Sequence, residues 1–541
     1  METIPQTQYA VQLVGPGEVR LNTAKTVFRP GPRQILARTE AVGLCFSDLK
    51  LLKQFGEHPR KGAILSGIED DILGQIPSYV PGDQPTVPGH EVVCRVVAVG
   101  DGVVSHGVGD RFIIQADYRN LRTTGSNAAF GYNFEGALQE YVLLDERVSA
   151  DSAGKDLYLI PVPDSLPAAA AALVEPWACV ECSYATPERQ TIKPGGRLLI
   201  VSEPGADVTE LEAAYSPLGL PGSTTRIDPV GIPELSDQAY DDIVYAGSNA
   251  STIEALNDKL AAGGIIAILL NGGAIGRKVS VGVGRIHYGP TRWVGTPATD
   301  VRDAYSLIPA NGEIRPGENI VVIGAGGPMG QMHTIRDVST GLPGVQVTAT
   351  DMDDARLETL SAKAEPIARA ASGSYRAVNT AKSPTTEAFT YYALMAPVPA
   401  LLAAAIDACA PNAIVNVFAG IPAPVRHEID LDALINKRVF VFGTSGSETE
   451  HMRIVLGKVT AGALDTNASV DAVTGMAGAT DGLAAVENRT LAGKIIVYPM
   501  LHDLPLTPLS TLATAYPSVA AKLDSGRWTK AAEEELLRVA H

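Results

Sequence analysis

The sequence predicts an α/β protein in which a β-rich, barrel-like domain precedes two tandem units with doubly wound parallel sheets. From about residue 8 to residue 150, short β-branched runs are separated by Gly and Pro turns, as in a twisted β-barrel. Beyond Thr191, apolar strand-like runs alternate with helical segments, which is typical of a parallel sheet. The alternation occurs twice, and each copy opens with a similar segment: IKPGGRLLIVSEPGADV from Ile192 and IRPGENIVVIGAGGPMG from Ile314.

The composition narrows the class of protein. A chain of 541 residues exceeds one ordinary domain, and 45% apolar with 19% charged residues is normal for a globular protein. The net charge of −17 and the absence of basic runs disfavour a nucleic-acid partner. No apolar run is long enough to span a membrane, and neither a secretion signal nor a disulfide framework is apparent. We therefore expect a cytoplasmic protein.

The two copies also close alike. The first ends with RWVGTPATD and the second with VFVFGTSGSE, so both carry an aromatic residue, then Val or Phe, then Gly-Thr and an acidic helix start. Chance does not readily produce a shared opening, strand order and closing pattern. We infer a tandem duplication of a Rossmann-like unit, with a first copy at 189–312 and a second copy at 313–475.

The second copy carries the features of a dinucleotide site. The strand NIVVI runs into GAGGPMGQMH and then a helix, where glycines allow close approach of a pyrophosphate and the free N–H groups of the helix bind it. Ala325 stands where the first glycine is usual, and Gly324 and Gly327 are expected to compensate. Asp351 ends the next strand and is placed to bond the ribose hydroxyls, which favours NAD. The candidate cofactor residues are Gly324, Gly326, Gly327, Pro328, Met329, Gly330, Asp351 and Thr444.

The first copy lacks these features. Its loop SEPGADV has one glycine and places Glu203 and Asp207 where phosphates would lie, and like charges repel strongly in a dry site. We expect this copy to keep the fold without binding a dinucleotide in the usual pose. It could serve as an internal subunit surface or cover the active-site cleft.

Candidate metal ligands lie in three separate segments of the N-terminal part. GLCFSDLK, VPGHEVVCRVVAVG and VEPWACVECSY supply a thiol, an imidazole and carboxylates, a donor set that suits a catalytic zinc with an open position. A single Cys or His-Glu pair would be weak support, because such residues are often structural. The candidate ligands are Cys45, His90, Glu91 and Glu175.

These segments resemble the zinc-dependent medium-chain dehydrogenase/reductase family, which includes alcohol and sorbitol dehydrogenases. Within that family, the closest resemblance is to sorbose-phosphate reductases, through the segments FIIQADY, GYNFEGALQEYV, VEPWACV, GGPMGQMH and GTSGSETEHMR. The resemblance implies a GroES-like β-barrel catalytic domain. It implies that Cys45 and His90 bind zinc, that Glu91 is a ligand or near-ligand, and that Glu175 occupies the third-ligand region. Ser47, Asp48 and Glu91 are then the candidate catalytic residues, with Ser47 relaying the alcohol proton and Asp48 orienting the zinc-site His.

The predicted organisation is a GroES-like zinc domain at 1–188, completed by 476–541, followed by the degenerate first copy and the NAD-binding second copy. The implied reaction interconverts a secondary alcohol, such as a polyol, sugar or sugar phosphate, and its ketone, using Zn²⁺ and NAD. The alternatives are a zinc-free NAD(P)H reductase and a non-catalytic nucleotide-binding assembly or sensor protein. A homo-oligomer is possible, and no membrane partner is expected.

Overall fold

The computed structural model describes residues 3–150, 154, 157–206 and 218–540. The chain divides into two compact units. The first consists of Met1–Glu181 together with Ser447–His541, and the second is Cys182–Gly446. The unit that contains the N-terminus therefore also contains the last segment of the chain.

The first unit is built around the central strand β3, whose β-branched and apolar residues suit a buried strand. β3 pairs antiparallel with β4, β8 and β24, and the sheet runs in the order β25-β23-β24-β3-β4-β5-β9. The hairpin of β1 and β2 and the short pair of β6 and β7 form separate sheets. The strands of this unit are β1 (Thr7–Gly15), β2 (Glu18–Thr26), β3 (Gln34–Gly43), β4 (Glu91–Val99), β5 (Arg111–Ile114), β6 (Asp117–Arg122), β7 (Asn127–Ala129), β8 (Tyr141–Asp145), β9 (Leu159–Pro161), β23 (Val470–Thr474), β24 (Lys494–Val497) and β25 (Thr507–Pro508).

Helices cover this unit and link its two chain segments. The Ala-rich helix Ala168–Ala172 begins after Pro167, which offers no side-chain cap. Glu533 of the last helix instead accepts hydrogen bonds from the N–H groups of Ala168 and Ala169. The other helices of this unit are Phe46–Gln54, Asp70–Leu73, Val174–Ala185 (which continues into the second unit), Thr449–Thr460, Ala479–Asn488, Leu512–Ala515, Pro517–Ala520 and Lys530–Val539.

The second unit contains two parallel sheets, one from each copy. The first copy's sheet has the order β11-β10-β12-β13-β15, and the second copy's sheet has the order β18-β17-β16-β19-β20-β22. In each sheet the first strand lies inside and later strands are added on both sides, as in a doubly wound fold. The strands are β10 (Arg197–Ser202), β11 (Ser223–Ile227), β12 (Tyr240–Ala246), β13 (Leu260–Leu269), β14 (Val279–Val281), β15 (Arg292–Thr296), β16 (Asn319–Ile323), β17 (Gln346–Asp351), β18 (Ser374–Asn379), β19 (Tyr391–Leu394), β20 (Ile414–Val417), β21 (His427–Ile429) and β22 (Phe440–Phe442).

The helices of the second unit follow the same repeat. The first copy has the helices Ala250–Asn257, Gly284–Tyr288 and Val301–Tyr305, and the second has Pro328–Val338, Asp354–Ala370, Pro399–Ala408 and Leu431–Asn436. Among the described residues, the first copy has no strand equivalent to β18. A 3-10 helix, Pro229–Glu234, lies between β11 and β12 instead. The short strands β14 and β21, one from each copy, pair antiparallel, and a single hydrophobic cluster contains residues of both copies.

Glu533 offers a test of how the last helix stabilises the first unit. Its carboxylate is 4% exposed and also accepts a hydrogen bond from the Tyr498 hydroxyl at 2.8 Å. Glu533→Ala would leave these buried donors without an acceptor, so we expect the free energy of unfolding to fall by about 3 kcal/mol. Thermal melting checks this, with Glu534→Ala as the matched control, because the Glu534 side chain is 67% exposed. Equal melting temperatures for the two variants would contradict the prediction.

Candidate functional site

One buried carboxylate connects the two metal-ligand motifs of the first unit. Cys45 precedes the helix Phe46–Gln54, and its N–H donates to Asp48 Oδ2 at 3.0 Å. Asp48 Oδ1 accepts a hydrogen bond from Gly89 N at 3.2 Å and lies 3.3 Å from His90 Nδ1. Asp48 therefore holds the turn before His90 through a hydrogen bond and lies beside the imidazole Nδ1.

Glu91 reaches this place because β3 has a glycine opposite it. Gly43 pairs with Glu91 in the register of β3 and β4, and a Cβ on Gly43 would lie 2.2 Å from Glu91 Oε2. Glu91 Oε1 accepts a hydrogen bond from the Lys494 ammonium group of β24. Glu91 Oε2 is buried and has no hydrogen-bond partner within the described part of the chain.

The structure brings three of the four predicted ligands together. One ligand atom each from Cys45, His90 and Glu91 lies within 4.8 Å of the others. Glu175 is outside this group. Burial raises the pKa of the Glu175 carboxyl, and the nearby charge of Glu91 acts in the same direction, whereas His90 and Lys494 act to lower it. Burial acts to lower the pKa of His90, but Asp48 and Cys45 raise it well above its usual value.

These observations fit a bound zinc ion. Sulfur, nitrogen and oxygen donors at such separations are the set that zinc prefers. Glu91 Oε2 has lone pairs that the described residues do not use.

Other polar and aromatic groups lie close to the cluster. Ser47 Oγ lies 3.2 Å from His90 Nε2. The Tyr132 ring centroid is 6.0 Å from that of His90 and 5.1 Å from that of His58, and the Arg60 guanidinium is 5.7 Å from the Tyr132 ring. Burial raises the pKa of Tyr132.

Sequence reasoning missed His58, Arg60, Tyr132 and Lys494 as members of this site. Tyr132 belongs to the segment GYNFEGALQEYV and Lys494 to the strand-like segment GKIIVYP. Neither segment has a fixed spacing to Cys45 or His90. Only the pairing of β24 with β3 brings Lys494 to Glu91.

The glycine loop of the second copy has the local geometry of a phosphate-binding turn. Gly324 adopts a φ of +83°, which a residue with a side chain rarely adopts. A Cβ on Gly330 would lie 2.3 Å from Gly324 O, so only glycine lets the helix Pro328–Val338 approach the strand. Gly327 precedes that helix without a side-chain cap, and Pro328 is exposed while Met329 is half-buried.

Asp351 takes part in shaping this loop. Its Oδ2 accepts a hydrogen bond from Gly326 N at 2.9 Å, and its Oδ1 accepts one from Met352 N at 2.8 Å. Ala325, at the position where glycine is usual, is fully buried, so its methyl group is accommodated in the core. Thr444 follows β22, is 8% exposed, and its Oγ1 has no partner within the described ranges.

The corresponding loop of the first copy is organised differently. Glu203 follows β10, and its Oε1 accepts hydrogen bonds from the Tyr245 hydroxyl at 2.6 Å and from Thr252 Oγ1 at 3.1 Å. A cavity of about 820 Å³ lies beside it, at the carboxyl ends of the strands. The Glu203 carboxylate is therefore bound by hydroxyl groups of its own copy and lines this cavity, while Asp207 lies outside the described residues.

Comparison with known proteins identifies the class of the first domain. Residues 31–152 match the family model described as the alcohol dehydrogenase GroES-like domain. No curated protein matches the chain. No helix within the described ranges combines the length and apolar character needed to cross a membrane.

Solved structures share the fold. A candidate alcohol dehydrogenase from Sinorhizobium meliloti 1021 has a TM-score of 0.51 and 16% identity, over 92% of this chain and 100% of its own. The 2R,3R-butanediol dehydrogenase from Bacillus subtilis has a TM-score of 0.50 and 15% identity, over 91% and 100%. The predicted α/β fold class, with a GroES-like domain and Rossmann-like parallel sheets, is confirmed.

The His58 side chain gives a prediction about pH. Burial lowers the pKa of His58 from 6.5 to about 4, and Arg60 and Lys50 act in the same direction. The unfolded chain therefore binds more protons, so the stability from neutral His58 is present above about pH 6.5 and is lost as the pH falls towards 4. As the pH falls through this range, we expect the melting temperature of His58→Asn to decrease less than that of the wild type. Parallel curves of melting temperature against pH would contradict this. Asn was chosen because it keeps an acceptor for Arg60 N.

Proposed function

We propose that the protein is a zinc-dependent NAD(H) oxidoreductase that interconverts a secondary alcohol, of the polyol, sugar or sugar-phosphate class, and its ketone. The convergence of Cys45, His90 and Glu91 within 4.8 Å carries the proposal. The match of residues 31–152 to the alcohol dehydrogenase GroES-like domain supports it. The glycine loop at Gly324–Gly330 supplies a place for the cofactor pyrophosphate.

The proposed mechanism assigns a task to each residue. Cys45, His90 and Glu91 would hold the zinc, which when bound supplies Lewis-acid chemistry at the alcohol oxygen. Asp48 keeps His90 Nδ1 engaged, so that Nε2 faces the cluster. The Ser47 hydroxyl, 3.2 Å from that Nε2, is placed to take up and pass on the proton of the alcohol.

Lys494 balances the charge of this site. Burial acts to lower the pKa of Lys494, but Glu91 and Cys45 raise it, and its side chain is 5% exposed. The ammonium group therefore remains charged beside Glu91 and offsets one carboxylate. Glu175, half-buried nearby, is proposed to complete the zinc site through its own carboxylate or through water.

The same lysine favours a second candidate function. Because an ammonium group already neutralises Glu91, the cluster can exist without a metal, which is what a zinc-free NAD(P)H reductase would require. Metal content distinguishes the two functions. A protein with neither zinc nor turnover would instead be an assembly or sensor module.

We expect the purified protein to contain about one zinc ion per chain and to oxidise a member of a polyol panel with NAD. Cys45→Ala should lose the metal and at least about 100-fold in turnover, because a ligand is removed. The matched control is Cys94→Ala, since Cys94 is buried on β4 and burial raises its pKa. Elemental analysis and absorbance at 340 nm check this. A zinc-free protein that still reduces ketones would overturn the zinc assignment.

Gly330→Ala tests the nucleotide loop. The added methyl would meet Gly324 O at 2.3 Å, so the loop must shift, and we expect NAD to bind at least about 10-fold more weakly. Gly373→Ala is the control, because its nearest contact would be an ordinary 3.7 Å. Fluorescence titration with NAD measures both, and unchanged affinity in Gly330→Ala would place the cofactor elsewhere.

A further inference from the structure

The two copies join through elements that occupy the same place in each. Ser280 is the middle residue of β14 and Glu428 the middle residue of β21, and these two residues pair with each other. Val279 pairs with Ile429, and Val281 pairs with His427. Such reciprocal pairing about a central point is the signature of a twofold interface, in which the same patch is used on both sides.

Equivalent glycines repeat this symmetry. Gly295 of the first copy's closing Gly-Thr would, with a Cβ, lie 2.7 Å from the Ile435 side chain in the helix Leu431–Asn436. Gly443 of the second copy's closing Gly-Thr would lie 3.1 Å from His287 Cα in the helix Gly284–Tyr288. In each copy, a helix of the other copy therefore packs against the equivalent glycine.

The ion pairs across the interface are also reciprocal. Lys278 and Arg426 each directly precede the pairing strand of their own copy. Lys278 Nζ lies 3.0 Å from Asp407 Oδ2, and Arg426 Nη1 lies 2.8 Å from Asp258 Oδ1. Asp258 and Asp407 stand at the ends of the equivalent helices Ala250–Asn257 and Pro399–Ala408.

The interface is apolar at its centre. Buried side chains from both copies belong to one hydrophobic cluster, including Val281, Ile286, Trp293, Ile429, Leu434 and Ile435. A buried apolar centre with charged pairs around it is the anatomy of a permanent subunit interface. Here both halves belong to the same chain.

The first copy also contacts loops at the carboxyl ends of the second copy's strands, where doubly wound sheets bind ligands. His287 Nδ1 lies 3.3 Å from Val417 O, at the end of β20. The Tyr288 hydroxyl lies so close to Gly420 that a Cβ there would be 2.5 Å away. Arg292 donates a hydrogen bond to Gly443 O at 3.2 Å, in the loop after β22.

We propose that the first copy is a built-in partner subunit for the second. It occupies the sheet edge that would otherwise be available to another chain, and it positions the loops after β20 and β22 for the nucleotide. Tyr288 is thereby a positioning residue. The part of this inference that concerns the nucleotide rests on the function proposed above.

A crosslink tests the internal interface. In Ser280→Cys/Glu428→Cys the two thiols would face each other across paired strands, within the range of a disulfide. We expect oxidation to consume both introduced thiols while the species on a non-reducing gel keeps the mass of one chain, independent of protein concentration; persistence of both free thiols would contradict the pairing. A disulfide-linked species with the mass of two chains would show that the strand pairs with a second copy and would overturn the proposal. Ser280→Cys alone is the control.

Tyr288 tests the positioning role. Tyr288 is 45% exposed, so Tyr288→Ala should fold, and we expect it to bind NAD about 3- to 30-fold more weakly. Tyr288→Phe keeps the ring, whose Cζ lies 3.4 Å from the same Cβ position at Gly420, and should retain most of the affinity. Lys193→Ala is the control, because Lys193 pairs with Asp241 within the first copy and is 52% exposed. Wild-type affinity in Tyr288→Ala would overturn the positioning role.

Hydrogen exchange separates this inference from the proposed function. Without nucleotide, the amides of 418–421 should exchange faster in Tyr288→Ala than in the wild type, since a contact holding this loop is gone. Equal exchange would contradict the positioning role. A wild-type protein that does not bind NAD would refute the proposed function, while the crosslink and the exchange would still decide whether the first copy supports the second.

Discussion

The Asp48 carboxylate is the interaction on which the candidate site depends. Asp48 is 1% exposed. Its carboxylate accepts hydrogen bonds from the N–H groups of Cys45 and Gly89 and lies beside the His90 imidazole. A buried carboxylate of this kind is stable only when its oxygens are satisfied. Because satisfying them fixes a helix start and a turn relative to each other, a thiol and an imidazole distant in sequence face the same point.

Charge balance gives the site its chemical character. Glu91 enters the core opposite Gly43, and its burial requires a counter-charge, which the Lys494 ammonium of β24 supplies. One carboxylate oxygen is thereby neutralised, while the other remains without a partner among the described residues. This asymmetry leaves room for a cation and explains how the pocket can be stable before one binds.

In the second unit, glycines decide what each copy can do. Gly330 lets a helix approach a strand at the nucleotide loop, whereas Gly295 and Gly443 let helices cross between the copies. The first copy has the interface glycine but only one glycine in its loop, where Glu203 accepts hydrogen bonds from Tyr245 and Thr252. Under the functions proposed here, the two copies divide nucleotide binding and subunit pairing between them.

The sequence by itself determined the fold class, the repeated strand pattern and the residue types of both candidate sites, because strand periodicity, glycine loops and ligand motifs are local signals. It did not indicate Lys494 beside Glu91, Tyr132 beside His90, or the position of Glu175 outside the closest group of ligands. It also did not show that β14 and β21 pair about Ser280 and Glu428. Only the tertiary structure decided these, since they depend on long-range strand pairing and on the neutralisation of buried charge, which leave no fixed spacing in the chain.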